Sequence, residues 1–279
     1  PSSTPKKAIS GVYASCRILP DSDMLRPRII PCLLLHKGGL VKTIGFGNPK
    51  DVGDPLNAVR IFNEKEVDEL TVLDIDASRL GREPDYSLIA NLALECRMPL
   101  FYGGGVKSVG QIERIIGLGV EKVAISSAAV ENPKLISEAA ARVGSQSVVV
   151  VLDVKKTGLL RRPELVTLNA TRKTGLDPAA FAQQIQALGA GEIILNAVDR
   201  DGEMKGYDLD LVQQIRAATT LPLTVLGGAG TLDDMRELIR RYGIIGAAAG
   251  SLFVFKGKYR AVLINYPNRQ EKDLLCAQN

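Results

Sequence analysis

Tryptophan is absent from this 279-residue chain, and aromatic residues make up only 5% of it. Single-stranded nucleic acid is held by stacking bases on aromatic faces beside basic tracts. Here 35 basic and 31 acidic residues, a formal charge of +4, are spread along the chain with no long basic run. Nucleic acid is therefore set aside as a partner, whereas the mild positive excess suits small anionic ligands. Histidine is nearly as scarce, with His36 alone, and Cys16, Cys32, Cys96 and Cys276 are scattered without C-x-x-C spacing. No metal site and no disulfide framework are expected, and reduced thiols point to the cytoplasm. Nor does any apolar run reach the roughly 20 residues that a bilayer crossing takes, so no membrane association is expected. Residues 1–23 are rich in Ser, Pro and Lys but lack the continuous apolar core of a secretion signal, and are read as an N-terminal extension outside the fold. Also missing is a G-x-G-x-x-G after the first apolar run, which weakens the alternative of a doubly wound dinucleotide-binding sheet; no cofactor is expected.

What is present repeats. DELTVLDIDAS, MPLFYGGGVKSVGQI and GVEKVAISSAAV are followed later by GEIILNAVDRDG, LPLTVLGGAGTLDDM and GIIGAAAGSLFV. Glu69 and Glu192, Pro99 and Pro222, and Gly104 and Gly227 all lie the same 123 positions apart. A fixed interval at three separate points marks an internal duplication. Within each copy, short β-branched runs such as IIPCLLL and SVVVVLD alternate with amphipathic stretches such as LNAVRIFNEKEV and VGQIERIIGLG. About eight such units predict a (β/α)₈ TIM barrel with a two-fold half-barrel repeat, one domain over residues 24–279.

In such barrels function sits where strands end. Gly103 to Gly105 and Gly227 to Gly230 close the third and seventh predicted strands, and Ser126-Ser127 and Gly250-Ser251 close the fourth and eighth. Glycine lets backbone N–H groups approach an anion, and a helix start adds partial positive charge. Each half thus offers one phosphate cradle, and the expected ligand is a small molecule with a phosphate at each end. Asp153 is read as the end of the fifth strand, placed to project into the mouth as an acid or base, or simply to sit there solvated. Its counterpart in the other half is Leu34, which can neither give nor take a proton. Asp74, Asp76, Asp199 and Asp201 lie at or just past strand ends, with Asp201-Gly202 beside the second cradle. Lys42, in the glycine-rich segment GGLVKTIGFG read as the first loop, is a candidate phosphate cation or an ordinary surface lysine. At the opposite end Arg28, Glu69, Lys122 and Glu192 stand at strand starts, two bases and two acids able to neutralise one another in a ring, which by itself reads as a stability feature.

From Arg28 to about Phe255 the chain resembles the cyclase subunit of imidazole glycerol phosphate synthase, through RIIPCL, GDP, DELTVLDI, GGGV, SAAVENP, GSQSVVV, DRDG with KGYD, GGAG and AAGSLF. The resemblance implies a bisphosphate ligand held by Gly104, Gly105 and Ser127 at one end and by Gly202, Gly228 and Ser251 at the other. It also implies a glutaminase docked on the N-terminal face of the barrel, with ammonia admitted through a gate of Arg28, Glu69, Lys122 and Glu192. Asp153 matches one of that family's two catalytic aspartates, and the other falls on Leu34; Lys42 and Asp201 remain as candidate catalytic groups. Ser126 and Leu226 replace a family asparagine and serine near the cradles. RIIPCLLL, GLVKT and AAGSLFVFKGKYRAVLINYP are similar to a paralogue group that works with a glutaminase and an N-acetyl sugar amidotransferase in acetamidino modification of surface polysaccharide. Three functions follow as expectations: an ammonia-conducting subunit in sugar amidination, a histidine-pathway cyclase in which Asp201 substitutes for the missing acid, or a non-catalytic scaffold.

Overall fold

The computed structural model describes residues 26–276. The expectations for residues 1–23, and for Cys16, lie outside the described residues. Eight parallel strands form the centre: β1 (Arg28–His36), β2 (Leu70–Asp74), β3 (Leu100–Gly103), β4 (Lys122–Ile125), β5 (Val148–Thr157), β6 (Glu192–Ala197), β7 (Leu223–Leu226) and β8 (Gly246–Ala249). Each pairs with the next, and β1 pairs in parallel with β8, so the sheet closes into a barrel. Around it lie α1 (Pro55–Glu64), α2 (Tyr86–Glu95), α3 (Val109–Gly117), α4 (Lys134–Val143), α5 (Pro178–Ala187), α6 (Leu209–Ala218), α7 (Leu232–Tyr242) and α8 (Arg269–Cys276). The predicted (β/α)₈ barrel is the observed fold.

Local chemistry sets the helix starts. Asp54, Asp85, Asp177 and Asp208 accept backbone N–H groups at the N-caps of α1, α2, α5 and α6. Ser108 and Thr231 form reciprocal capping boxes with Gln111 and Asp234, at equivalent places in the two halves. Because side chains alternate along a strand, each strand feeds two cores. Ile29, Leu33, Val150, Ile193 and Leu195 pack outward against the helices. Ile30, Phe101, Val149, Val151, Ile194 and Ala248 fill the barrel interior.

Two hairpins depart from the expected pattern. The segment after β1, read as a glycine-rich loop, forms antiparallel strands Gly39–Ile44 and Gly47–Gly53, the first pairing back onto the end of β1 and the second onto the first. Likewise β5 runs past Asp153 to Thr157 and pairs with Arg162–Thr167. Asp153 is therefore inside a strand rather than at its end, because antiparallel pairing from Val154 onward prolongs the ladder beyond the barrel rim. Among the described residues, no helix is long and apolar enough to cross a membrane.

Candidate active site at the barrel mouth

A cavity opens at the C-terminal ends of the strands. Gly104, Gly105 and Ser127 line one side of it, and Gly202, Gly228 and Ser251 the other, so one cavity collects both sequence-predicted cradles. The glycines have a steric reason that sequence alone does not reveal. A Cβ at Gly104 would strike the Asp74 carbonyl, at Gly202 the Thr43 carbonyl and at Gly228 the Gly206 carbonyl, and all three have positive φ. Close loop crossing, as well as any anion, thus requires glycine here. In the first cradle the Gly105 N–H donates to Ser78 Oγ at 3.1 Å and Ser127 Oγ accepts from Leu168 N–H at 3.2 Å. No comparable internal bond engages the Gly228 N–H or the Ser251 hydroxyl among the described residues. Short helices Ser127–Glu131 and Ser251–Val254 start at the two cradles, neither capped by a side chain.

Between the cradles sits Asp153. Its carboxylate accepts from Asn196 Nδ2 at 2.9 Å and from Ser126 Oγ at 3.1 Å. Burial nevertheless outweighs these two bonds, and with Asp201 nearby the carboxyl is pushed up to about 6. Leu34, Leu73 and Leu226 line the same cavity and adjoin the apolar interior of the barrel. Leu34 offers no second proton-transferring group at the position that duplicates Asp153.

Asp201 and Lys42 come together through the first hairpin. The Asp201 carboxylate accepts from Thr43 Oγ1 at 2.7 Å and Phe46 N–H at 3.1 Å, and its carbonyl accepts from Gly45 N–H. Burial raises the Asp201 carboxyl against the effect of those two bonds. Lys42 is buried on a strand, with its Nζ donating to the Cys32 carbonyl. It is neither in a loop nor exposed, because hairpin pairing turns its side chain inward over β1. Burial lowers the Lys42 ammonium from its ordinary value, against the pull of Cys32 and Asp201. The other strand-end acids have local work: Asp74 accepts from Asp76 and Ala77 N–H, Asp76 pairs with His36 and Arg79, and Asp199 accepts from Lys156 N–H.

At the opposite end the four charged residues meet. Arg28 lies 2.7 Å from Glu69 and 2.8 Å from Glu192, and Lys122 lies 2.7 Å from Glu192. Among the described residues no ion pair closes the ring between Glu69 and Lys122; Lys122 instead stands over the Phe101 ring at 4.3 Å, and Glu69 Oε2 is buried without a partner. The two acids consequently diverge. Burial raises Glu69 despite Arg28, whereas Glu192 overcomes its burial through Arg28 and Lys122 and stays below the ordinary range, with Thr224 Oγ1 as a further donor at 2.6 Å.

A family model described as histidine biosynthesis protein matches residues 28–260. The chain belongs to that family. It is 60% identical over 252 residues to a protein of Leptospira interrogans, covering 90% of this chain and 99% of the relative. It is 62% identical over 249 residues to one of Vibrio vulnificus strain YJ016, covering 89% and 96%, and 51% identical over 251 residues to one of Pseudomonas aeruginosa, covering 90% and 100%. Those relatives are provisionally named imidazole glycerol phosphate synthase subunit HisF, hisF3 and hisF2 respectively.

In this barrel both ends of the interior are legible in the sequence, but Asn196 is not singled out there. A strand signal was available: Glu192, Ile194 and Asn196 share the inward face of β6 by simple alternation, and Asn196 lies in register with Asp153. An asparagine on a predicted buried strand is unusual enough to be singled out.

Proposed function

We propose that this chain is the ammonia-conducting barrel subunit of a glutamine-dependent amidotransferase system. In this reading a glutaminase docks at the N-terminal face, and nitrogen passes up the barrel to amidino-sugar formation for surface polysaccharide, with an N-acetyl sugar amidotransferase as the further partner. The observation that carries it is a contrast between the two ends. At the entrance the Glu69, Arg28, Glu192 and Lys122 cluster is held together by three ion pairs, whereas at the mouth only Asp153 of the expected acid–base pair is present, opposite Leu34. Between the ends lie Ile30, Val149, Val151, Ile194 and Ala248, all apolar. In this reading that apolar interior admits neutral ammonia far more readily than an ion, because burying an unpaired charge is costly.

Lys122→Ala in the reconstituted system is the test. It is expected to leave a folded barrel that binds the glutaminase but couples glutamine hydrolysis poorly to product, with added ammonia bypassing part of the loss. If glutamine-driven and ammonia-driven product formation fall together, the cluster is only structural and the reading fails.

A second reading, the cyclase subunit of imidazole glycerol phosphate synthase, is favoured by the names of the relatives and by Asp201, which shares the mouth with Asp153. Under the leading reading the barrel, given ammonia and the histidine-pathway bisphosphate, turns over roughly 10² to 10⁴ more slowly than a family member with both aspartates. Ordinary turnover would select the second reading instead, and polysaccharide rather than histidine genes beside this one would support the first.

A further inference from the structure

Two hairpins at the mouth end in turns of the same form. One prolongs β5, and the other, strands Phe255–Lys256 and Ala261–Val262, follows the short helix after β8. In residues 158–161 the Gly158 carbonyl accepts from Arg161 N–H at 3.2 Å, and in residues 257–260 the Gly257 carbonyl accepts from Arg260 N–H at 3.0 Å; both arginines have positive φ. The central pairs, raised at the tips, are Leu159 with Leu160 and Lys258 with Tyr259. Turn geometry favours glycine, proline, asparagine, aspartate or serine and gives no reason for leucine or tyrosine. Yet Leu159 is 103% exposed, Leu160 74% and Tyr259 89%. One loop, residues 198–204 after β6, ties the two hairpins to the barrel exit: Asp199 accepts from Lys156 N–H at 2.7 Å, and the Gly202 carbonyl accepts from Arg260 at 3.0 Å. Lys50 braces the second hairpin from the other side, donating to the Arg260 carbonyl at 3.4 Å and standing 5.0 Å from the centre of the Phe255 ring. Beside the apolar tips stand Arg161, Arg162, Lys256 and Lys258, all exposed. None of the four pairs with an acidic side chain among the described residues.

We propose that these two turns, with the basic residues beside them, dock the enzyme that consumes the ammonia, which seats an acidic and partly apolar surface over the mouth. The inference rests on the ammonia reading above and adds to it where the acceptor enzyme sits. Ammonia released into water at neutral pH is protonated and loses its lone pair, so transfer is efficient only if the exit is covered. With Leu34 opposite Asp153, the chemistry that uses the nitrogen belongs to a second protein. The unpaired arginines and lysines select an acidic partner and steer it to this end of the barrel, while Leu159, Leu160 and Tyr259 supply the apolar contact that exposed side chains of this kind mark. A second copy of this chain fits poorly, because a symmetric contact would set the basic residues of one rim against those of the other. An anionic bilayer would match the charge but brings no site at which the nitrogen could react.

The probe is the purified N-acetyl sugar amidotransferase of the same organism, its binding to the full chain measured by biolayer interferometry with the glutaminase present. The parent is expected to bind, and more weakly as salt is added. Leu159→Asp combined with Leu160→Asp, and separately Arg161→Glu combined with Arg162→Glu, should each weaken binding at least about tenfold. Leu94→Asp, equally exposed but on the flank of α2, should leave it unchanged. These side chains stand in water, so circular dichroism and glutaminase binding should match the parent in every variant, and glutamine-driven product should fall in the two rim variants and be restored in part by added ammonia. Equal binding by parent and rim variants would overturn the docking surface. So would self-association of the parent, or its binding to phosphatidylglycerol vesicles, if either is lost in the rim variants while no amidotransferase binds. Amidotransferase binding that ignores the rim variants, with Lys122 coupling intact, removes this surface alone; no binding together with ordinary cyclase turnover removes the broader reading as well.

Discussion

A carboxyl pushed up by burial lowers stability in its charged form, and Asp153 makes this measurable. Its folded value, about 6, exceeds the ordinary carboxylate value of about 3.9. Between those values the folded chain keeps a proton that the unfolded chain has released, so stability falls as pH rises through this window and stays lower above it. Asp153→Asn removes the penalty, and urea unfolding should find it more stable than the parent by about 3 kcal/mol at pH 8 and by well under about 1 kcal/mol near pH 4. Equal destabilisation at both pH values would mean that the Asn196 and Ser126 bonds outweigh burial. Leu34→Asp tests the same residue from the other side: a second carboxylate in the mouth should raise the Asp153 value further, seen by NMR titration, and restore cyclisation of the bisphosphate if the missing acid is what limits it.

The hairpin of residues 39–53 is the element that completes the mouth, and one side chain fastens it there. Asp201 takes the Thr43 hydroxyl and the Phe46 N–H, while Gly202 admits the Thr43 carbonyl where a Cβ would clash. Asp201→Ala should cost about 1–3 kcal/mol and raise hydrogen exchange at Phe46 well above that at Gly45, whose N–H bonds the Asp201 backbone and keeps its partner. Equal protection of both amides in the variant would show that the strand pairing, not Asp201, holds the hairpin. The two cradles should also differ. Donor and acceptor groups of the first are engaged with Ser78 and Leu168, so phosphate titrated by calorimetry should bind the second more tightly, and Ser251→Ala should weaken that binding more than Ser127→Ala. Greater sensitivity to Ser127→Ala would reverse the assignment.

For the molecule as a whole, the cluster of Arg28, Glu69, Lys122 and Glu192 ties together the starts of β1, β2, β4 and β6 across the barrel axis. Glu192 has Arg28, Lys122 and Thr224 as partners and a lowered pKa, so its contribution is present above the unfolded carboxylate value and is lost as pH falls through the lower folded value. Glu69 has Arg28 as its only ion-pair partner among the described residues, one orphaned oxygen and a pKa raised by burial despite Arg28 and Lys122, so the sign is opposite. Glu192→Gln is expected to cost about 3 kcal/mol at pH 7 and Glu69→Gln less than about 1 kcal/mol, by denaturant unfolding. Similar losses for the two would mean that the cluster behaves as one symmetric ring.

Periodicity and duplication are enough to determine the barrel, because buried parallel strands read as short, near-continuous apolar runs and the 123-residue interval repeats their order. The same interval locates the paired glycine turns and Glu69 with Glu192, and aligning IIPCLLL with VVVVLDV gives the mismatch of Leu34 with Asp153, since these depend on position along the chain. What the sequence could not supply was contact between distant segments. Lys42 read as a loop residue because the glycines around it are also turn formers, and only pairing with β1 shows that it is buried on a strand. The glycines read as anion cradles, yet their crowding against Asp74, Thr43 and Gly206 exists only once the loops cross. The opening of the charge cluster between Glu69 and Lys122, and the orphaned oxygen of Asn196, were likewise decided by tertiary structure. Whether a buried polar atom finds a partner depends on geometry to within a few tenths of an ångström, which residue order alone does not encode.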